Sequence, residues 1–186
     1  MTNTASMTLA DAVLPRGRAL RDALLVLGFG ALLALSSQIA LPLPGTPVPL
    51  TLQTLAVLVT GMVLGSRRGP LAVLAWLCAG LLGLPVLATG TLTGGYLAGF
   101  VAAAFLVGLL AERRWDRRPL TTVGAMVLGS VVIYACGAAW LAIFIGAKAA
   151  VVQGVLPFLV GDAIKIGAAT AALPLAWSRL GRAEDR

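Results

Sequence analysis

Two oppositely charged side chains stand inside an otherwise apolar segment near the carboxyl end of the chain. Asp162 and Lys165 are three residues apart, a spacing that places them on one face of a helix. Arg179 marks the inner surface of the membrane. Lys165 lies about 21 Å along the helix from Arg179, which places it in the outer half of the membrane. Intramembrane ion pairs face a bundle interior or a wet cavity and usually serve a function. We interpret this pair as one wall of a small-molecule binding site; the alternative is an intrahelical ion pair that holds the helix in register.

Uncharged hydrogen-bonding side chains follow a proline-rich segment at positions 42–49. The Gln53 amide can donate two hydrogen bonds and accept others, as recognition of a polar small molecule requires, and Thr51 adds a hydroxyl. The alternative for the threonine is ordinary capping of the helix that begins here. Both residues are predicted to contact the substrate.

Glycine and threonine dominate positions 89–95. Irregular backbone at membrane depth is tolerated only where it lies within protein or lines a cavity, so Thr91, Thr93 and Gly94 are candidate site residues. Tyr96 offers a ring and a hydroxyl beside them, or belongs to the interfacial aromatic belt. Trp76 is a further candidate for an apolar wall, although packing is the more common role of such a tryptophan.

The composition excludes several functional classes. Hydrophobic residues make up 59% of the 186 residues and charged residues 11%, which is too apolar for a soluble domain. The chain has no histidine, which removes Ser-His and Cys-His catalysis and histidine-ligated metals. Its two cysteines fall in apolar runs without a C-x-x-C partner, and its basic residues form no stripe for nucleic acid. We therefore predict no enzyme activity, no cofactor, no metal and no nucleic-acid partner.

Membrane-length apolar runs account for most of the chain. A spanning helix needs roughly 20 apolar residues, and we predict an all-α polytopic membrane protein with six transmembrane helices. The division is an amino-terminal arm at 1–22, a membrane domain at 23–179 and a tail at 180–186. The predicted spans are 23–41, 50–64, 70–82, 96–110, 120–145 and 157–177. The third is too short to cross unless it is tilted or extended.

The positions of the basic residues predict the orientation. Three lie in the amino-terminal arm, two at 67–68, four at 113–118 and three at the carboxyl end, all on one side of a six-span protein. By the positive-inside rule, both termini are cytoplasmic and the protein spans the cytoplasmic membrane. Lys148 marks the last outer loop.

The first span carries a pair of small residues four positions apart, Gly30 and Ala34. Such a pair lets another helix approach closely. The pair is a candidate interface for a membrane partner, or it packs within the bundle.

Five segments, in their order along the chain, resemble the BioY family of biotin transporters. They are PVPLTLQTLAVL at 47–58, GSRRG at 65–69, GLPV at 83–86, TGGYLAGF at 93–100 and GDAIK at 161–165. The resemblance implies the substrate-binding subunit of an energy-coupling-factor vitamin importer, with six helices and a site near the outer face. It also implies a transmembrane coupling subunit, contacted through the Gly30 and Ala34 motif, and separate ATPase subunits. The chain itself has no phosphate-binding G-x-x-x-x-G-K-[ST] loop.

Biotin, the substrate that the resemblance implies, fits the local chemistry. Its ureido ring presents N–H donors to Asp162 and a carbonyl acceptor to Lys165. The biotin carboxylate then needs hydrogen-bond donors from Gln53, Thr51, the threonines at 91–93 or the backbone amides near Gly94. Alternatively, Lys165 binds the carboxylate. One departure from the family is Thr91-Leu92, where a glycine-proline pair is expected. Other readings are an importer subunit for another vitamin, a polytopic membrane enzyme or a structural membrane subunit.

Overall fold

The computed structural model describes residues 7–14, 19–41, 43, 45–87 and 91–184. Its helices are α1 (Leu9–Val13), α2 (Ala19–Gln38), α3 (Gln53–Leu81), α4 (Gly94–Glu112), α5 (Pro119–Ile145), α6 (Ala147–Gly154) and α7 (Leu159–Glu184). Two-residue strands β1 (Ala40–Leu41) and β2 (Leu50–Thr51) pair antiparallel, and 3₁₀ turns cover Thr91–Thr93 and Leu156–Phe158. The fold is the helical membrane fold that the sequence predicts.

Five helices within the described residues are long and apolar enough to cross a bilayer. Many of their large apolar side chains point outward, which suits a lipid environment; examples on three helices are Leu27 (62% exposed), Ile143 (72%) and Ile164 (71%). The core lies between α3, α4 and α5, around Leu58, Met62, Val107, Met126 and Ile133.

The helix α3 reverses direction at Gly65, which has φ 85° and ψ −179°. The two arms, 53–64 and 66–81, pack together, since a Cβ at Gly69 would lie 2.9 Å from the Gly61 Cα. In a straight helix, residues eight apart are about 12 Å apart. The second arm begins at Ser66, whose amide and hydroxyl donate to Glu112 Oε1 at 2.9 and 2.8 Å. A carboxylate at a helix start is favourable, and this cap adds about one turn to the predicted short third span.

Several other predicted boundaries differ from the structure. The first span begins at Ala19, inside the predicted arm, and ends at Gln38. Lys148, which was predicted to mark the last outer loop, lies in the short helix α6. Pro157 belongs to a 3₁₀ turn, and α7 begins after it at Leu159. The count of six crossings, the sidedness of the termini and the division at 22 and 179 stay predictions; residues 1–6, 15–18, 185 and 186 lie outside the described part.

Gly30 packs inside the bundle. It is buried, and a Cβ there would lie 3.4 Å from the Ala72 carbonyl oxygen on the second arm of α3. Ala34 is half-buried and packs against the core. The contact of Gly30 is therefore intramolecular, as in the alternative that the pair packs within the bundle. A partner interface at this pair stays a prediction.

Arg114 is the one non-glycine residue with positive φ in the described part, at 67°. It ends α4: its amide donates to Ala111 O at 2.8 Å, and the Trp115 amide donates to Leu110 O at 3.1 Å. Glycine is favoured at this position of a helix end, because a Cβ is strained in the left-handed region. We expect Arg114→Gly to raise the unfolding free energy by roughly 0.5–1 kcal/mol. Its Tm in detergent, compared with that of wild type, measures this.

The matched control is Arg113→Gly. Arg113 has φ −94°, so glycine relieves no strain there and only adds freedom to the unfolded chain. A Tm gain of equal size in both variants would contradict the strain explanation.

Candidate functional site

The α7 ion pair lies at the end of the bundle that holds the β1–β2 pair. Asp162 is 5% exposed, and its Oδ1 accepts from Lys165 Nζ at 2.8 Å. Thr54, in the first turn of α3, donates to the same oxygen at 3.1 Å. Tyr134 of α5 donates its hydroxyl to Oδ2 at 2.5 Å. Three helices therefore converge on one carboxylate.

Lys165 is held by three acceptors. Its Nζ donates to Thr51 O, Thr54 Oγ1 and Asp162 Oδ1, each at 2.8 Å. An ammonium group has three N–H donors, so all of them are engaged. The charge of each member of the pair is neutralised by the other, and a polar ligand meets no net charge there.

A cavity opens beside the ion pair, between α3, α4, α5 and α7. Its apolar walls come from the loop before α3, from α4 and from the turn before α7: Val48, Pro49, Leu50, Leu97, Phe100 and Phe158. Its polar lining is Thr51, Gln53, Thr54, Thr93, Tyr96, Tyr134, Asp162 and Lys165. An apolar pocket with a few convergent polar groups is typical of a ligand site.

Gln53 provides a donor without an acceptor. The residue is 3% exposed, and its Nε2 has no hydrogen-bond partner among the described residues. Its Oε1 accepts from Thr51 Oγ1 at 3.5 Å, and Thr51 Oγ1 accepts from the backbone N–H of Gln53 at 3.2 Å. A buried donor that is left unpaired costs about 1–3 kcal/mol, so a ligand acceptor beside it is favoured.

Most of the predicted site residues come together. Asp162, Lys165, Gln53, Thr51, Thr93 and Tyr96 all line the cavity. The Thr51 side chain accepts a hydrogen bond from the backbone N–H of Gln53, but Leu52 occupies the N-cap position of α3 and makes no side-chain cap, so the ordinary capping of the alternative reading is not observed. Tyr96 presents its ring to the cavity, whereas its hydroxyl donates to Gly154 O at 2.7 Å and holds α6 in place.

Three predicted residues do not join them. Trp76 lies behind the wall: its Nε1 donates to Val86 O at 2.9 Å, and its ring packs against Phe100 at 6.3 Å. Gly94 faces α5, where a Cβ would lie 3.3 Å from the Trp140 ring. The side chain of Thr91 lies outside the described part. Contact of these three residues with a ligand stays a prediction. Trp76 and Gly94 do not line the cavity, so the structure gives this prediction no support at those two positions.

Tyr134 was missed by the sequence analysis. It is one of two tyrosines in the chain and sits inside the apolar helix α5. A tyrosine hydroxyl within an apolar span needs a hydrogen-bond partner, and that signal could have found it. Its partner, Asp162, is 28 residues further along the chain, and no spacing rule connects them.

The other end of α7 is anchored by the α4–α5 loop. Trp177 Nε1 donates to Asp116 Oδ2 at 2.5 Å, and the Arg117 guanidinium lies 4.1 Å from the Trp177 ring centroid. Asp116 is fully buried, and this burial raises its pKa above the ordinary value, although the Trp177 hydrogen bond and the Arg117 charge act in the opposite direction. The anchor fixes the helix that carries Asp162 and Lys165.

This raised pKa predicts a pH-dependent stability. The folded chain holds the Asp116 proton more tightly than the unfolded chain does. The stability that this proton contributes is therefore fully present below the ordinary aspartate pKa, and it is lost as the pH rises through the raised pKa of the folded chain. Asp116→Asn keeps an acceptor for Trp177 and cannot ionise. We expect the Tm of wild type to fall relative to that of Asp116→Asn as the pH rises from about 4 upward. Thermal melts in one detergent across this range measure the difference, and parallel profiles would contradict the assignment.

Comparisons with known proteins agree on one family. The model of the BioY family matches residues 3–182. A probable biotin transporter BioY of Pyrococcus horikoshii is 40% identical over 161 residues, covering 82% of this chain and 93% of that protein. The biotin transporter BioY of Rhizobium etli is 39% identical over 164 residues, covering 78% and 87%. The fold resembles the crystal structure of the S-component for biotin from an ECF-type ABC transporter, with a TM-score of 0.69 and 23% identity over 90% of this chain and 92% of that one.

Proposed function

Because the chain belongs to the BioY family, we propose that it binds biotin and imports it across the cytoplasmic membrane. It acts as the substrate-binding subunit of an energy-coupling-factor importer and not as an enzyme. A transmembrane coupling subunit and ATPase subunits supply the energy. One observation carries the assignment of the site: a small apolar cavity holds the neutral Asp162–Lys165 pair beside the unpaired Gln53 amide.

The ureido ring binds at the α7 end of the cavity. Asp162 Oδ2 accepts one hydrogen bond, from Tyr134, and a carboxylate oxygen can accept another from a ureido N–H. The ring is uncharged, so it leaves the charge balance of the ion pair intact. Hydrogen bonds to a carboxylate are stronger than those between neutral groups, which favours a urea, with its N–H donors, over an ester, which has none.

The biotin carboxylate binds away from Lys165. All three Lys165 donors already have acceptors, so a carboxylate there, or the ureido carbonyl that the sequence assigned to Lys165, would have to displace one of them. The Gln53 Nε2 donor is unpaired and lines the same cavity. This supports an arrangement in which Asp162 binds the ureido ring and Lys165 positions Asp162. Gln53 and Thr93 then bind the biotin carboxylate.

The experiment is a panel of vitamins tested by thermal shift on the purified protein in detergent. We expect biotin alone to raise the Tm, because a ligand that binds only the folded state stabilises it by RT ln(1 + [L]/Kd). Stabilisation by a different vitamin would replace biotin as the substrate. Stabilisation by no member of the panel would contradict a vitamin site. Uptake of labelled biotin with and without the ATPase subunits then tests the coupling.

A further inference from the structure

Tyr134 reaches the ion pair from a helix that carries no charged side chain. It lies within α5 (Pro119–Ile145), is half-buried and lines the cavity beside the ion pair, which is called the biotin cavity from here on. Its hydroxyl donates to Asp162 Oδ2 at 2.5 Å. A hydrogen bond of this length from a hydroxyl to a carboxylate is among the stronger ones in proteins. The contact therefore ties α5 to the carboxylate that is proposed to bind the ureido ring.

The two oxygens of Asp162 have different partners. Oδ1 accepts from Lys165 at 2.8 Å and from Thr54 at 3.1 Å, whereas Tyr134 is the donor to Oδ2 within the described part of the chain. A carboxylate offers about four acceptor positions, two on each oxygen. Both positions of Oδ1 are therefore filled. The position that is left for a ligand N–H lies on Oδ2, beside the Tyr134 hydroxyl.

Contacts to a single oxygen do not fix the orientation of a carboxylate. The terminal torsion of an aspartate side chain has a broad energy well, so a group held at Oδ1 can still swing its other oxygen. Lys165 and Thr54 both contact Oδ1, and they leave this motion free. The Tyr134 hydrogen bond holds Oδ2 itself. It thereby sets the direction in which the open acceptor position faces.

The other tyrosine of the chain shows that lining the cavity is not sufficient for this role. Tyr96 also lines the biotin cavity, but its hydroxyl donates to Gly154 O at 2.7 Å, at the end of α6. The two tyrosines thus share one cavity, and their hydroxyls act on different partners. Only the Tyr134 hydroxyl contacts a side chain of the ion pair.

We propose that Tyr134 is a positioning residue for ligand recognition: it holds Oδ2 of Asp162 so that the open acceptor position faces a ureido N–H in the cavity. The inference rests on the proposed binding of biotin, because it concerns the same carboxylate. Tyr134 acts through Asp162 and needs no contact of its own with the ligand.

Tyr134→Phe removes the hydroxyl and keeps the ring, and calorimetric titration with biotin measures its effect. We expect the affinity to fall about tenfold, as for the loss of one hydrogen bond to a charged group. The melting curve of the ligand-free variant shows that it is folded. Wild-type affinity in a folded Tyr134→Phe protein overturns this inference alone, whereas a wild type that binds no biotin overturns the proposed function with it.

A double-mutant cycle separates positioning from packing. If Tyr134 acts through Asp162, Tyr134→Phe should change the biotin affinity by no more than about twofold in an Asp162→Asn background, titrated at biotin concentrations that reach the weakened Kd. Tyr96→Phe is the matched comparison, because it removes a hydroxyl that contacts α6, and its effect should be the same in both backgrounds. An undiminished effect of Tyr134→Phe in the Asp162→Asn background would show a packing role and overturn the proposal.

Discussion

Replacing Asp162 by asparagine should abolish tight biotin binding, with an affinity loss on the order of 100-fold. The variant keeps the side-chain volume but removes the charge that Lys165, Thr54 and Tyr134 converge on. Lys165 then becomes a buried cation without a counter-ion, and the ureido N–H loses its carboxylate acceptor. Truncating one member of a buried hydrogen-bonded pair costs about 2–5 kcal/mol, which is consistent with this loss. Calorimetric titration of the purified protein with biotin measures the affinity.

The control for this variant is Asp22→Asn. Asp22 is half-exposed and pairs with Arg68 near the Gly65 turn, away from the biotin cavity. Its replacement should leave biotin affinity unchanged. The melting curve of Asp162→Asn without ligand shows whether the variant is folded. Wild-type biotin affinity in a folded Asp162→Asn protein would refute the assignment of the ureido end.

The second large effect is on folding, at the contact between α4 and α5. A Cβ at Gly95 would lie 2.2 Å from Trp140 Cβ and 2.5 Å from the Cys136 carbonyl oxygen. Backbone atoms cannot rotate away, so Gly95→Ala must push the helices apart. We expect a loss of about 2–3 kcal/mol in stability. Biotin affinity should fall as well, because Tyr96 on α4 and Tyr134 on α5 both line the cavity.

The matched control is Gly28→Ala on α2, where an added Cβ meets no atom within 4 Å. It adds the same methyl group to a transmembrane helix and should leave the biotin affinity unchanged, while the Tm should rise slightly because alanine is favoured over glycine inside a helix. Differential scanning fluorimetry and calorimetric titration of both variants measure the two effects. A Tm for Gly95→Ala equal to that of Gly28→Ala would show that α4 and α5 are not in close contact there.

Most residues of the candidate site could be predicted because each violates the local pattern. A carboxylate, an ammonium group or an amide in an apolar run costs free energy wherever it lies in the membrane. Asp162, Lys165 and Gln53 can therefore be found from the sequence without knowledge of the fold. Trp76 and Gly94 cannot, since tryptophan and glycine are common both as packing and as site residues. The cavity lining separates the two roles, and it places Phe100 where Trp76 was expected.

The positions that were missed depend on neighbours far away in the chain. The sequence predicts that a helix ends before Gly65. It does not predict the cap of the following arm, because that cap joins Ser66 to Glu112, which are 46 residues apart. The strain at Arg114 is likewise invisible in the sequence, because arginine gives no sign of a left-handed backbone. The start of the predicted third span was wrong for the same reason, because the Glu112 cap of Ser66 is a tertiary contact.

Apolar run lengths, the placement of arginines and the cost of intramembrane charge by themselves determined that this chain is a helical membrane protein with a polar site on its last helix. These properties are local, because the bilayer acts on each segment separately. The tertiary structure alone decided how the ion pair is used. It engages all three Lys165 donors, brings Tyr134 and Thr54 to Asp162 and leaves the Gln53 amide unpaired. Hydrogen bonds between distant helices follow from packing geometry, and no periodicity encodes them.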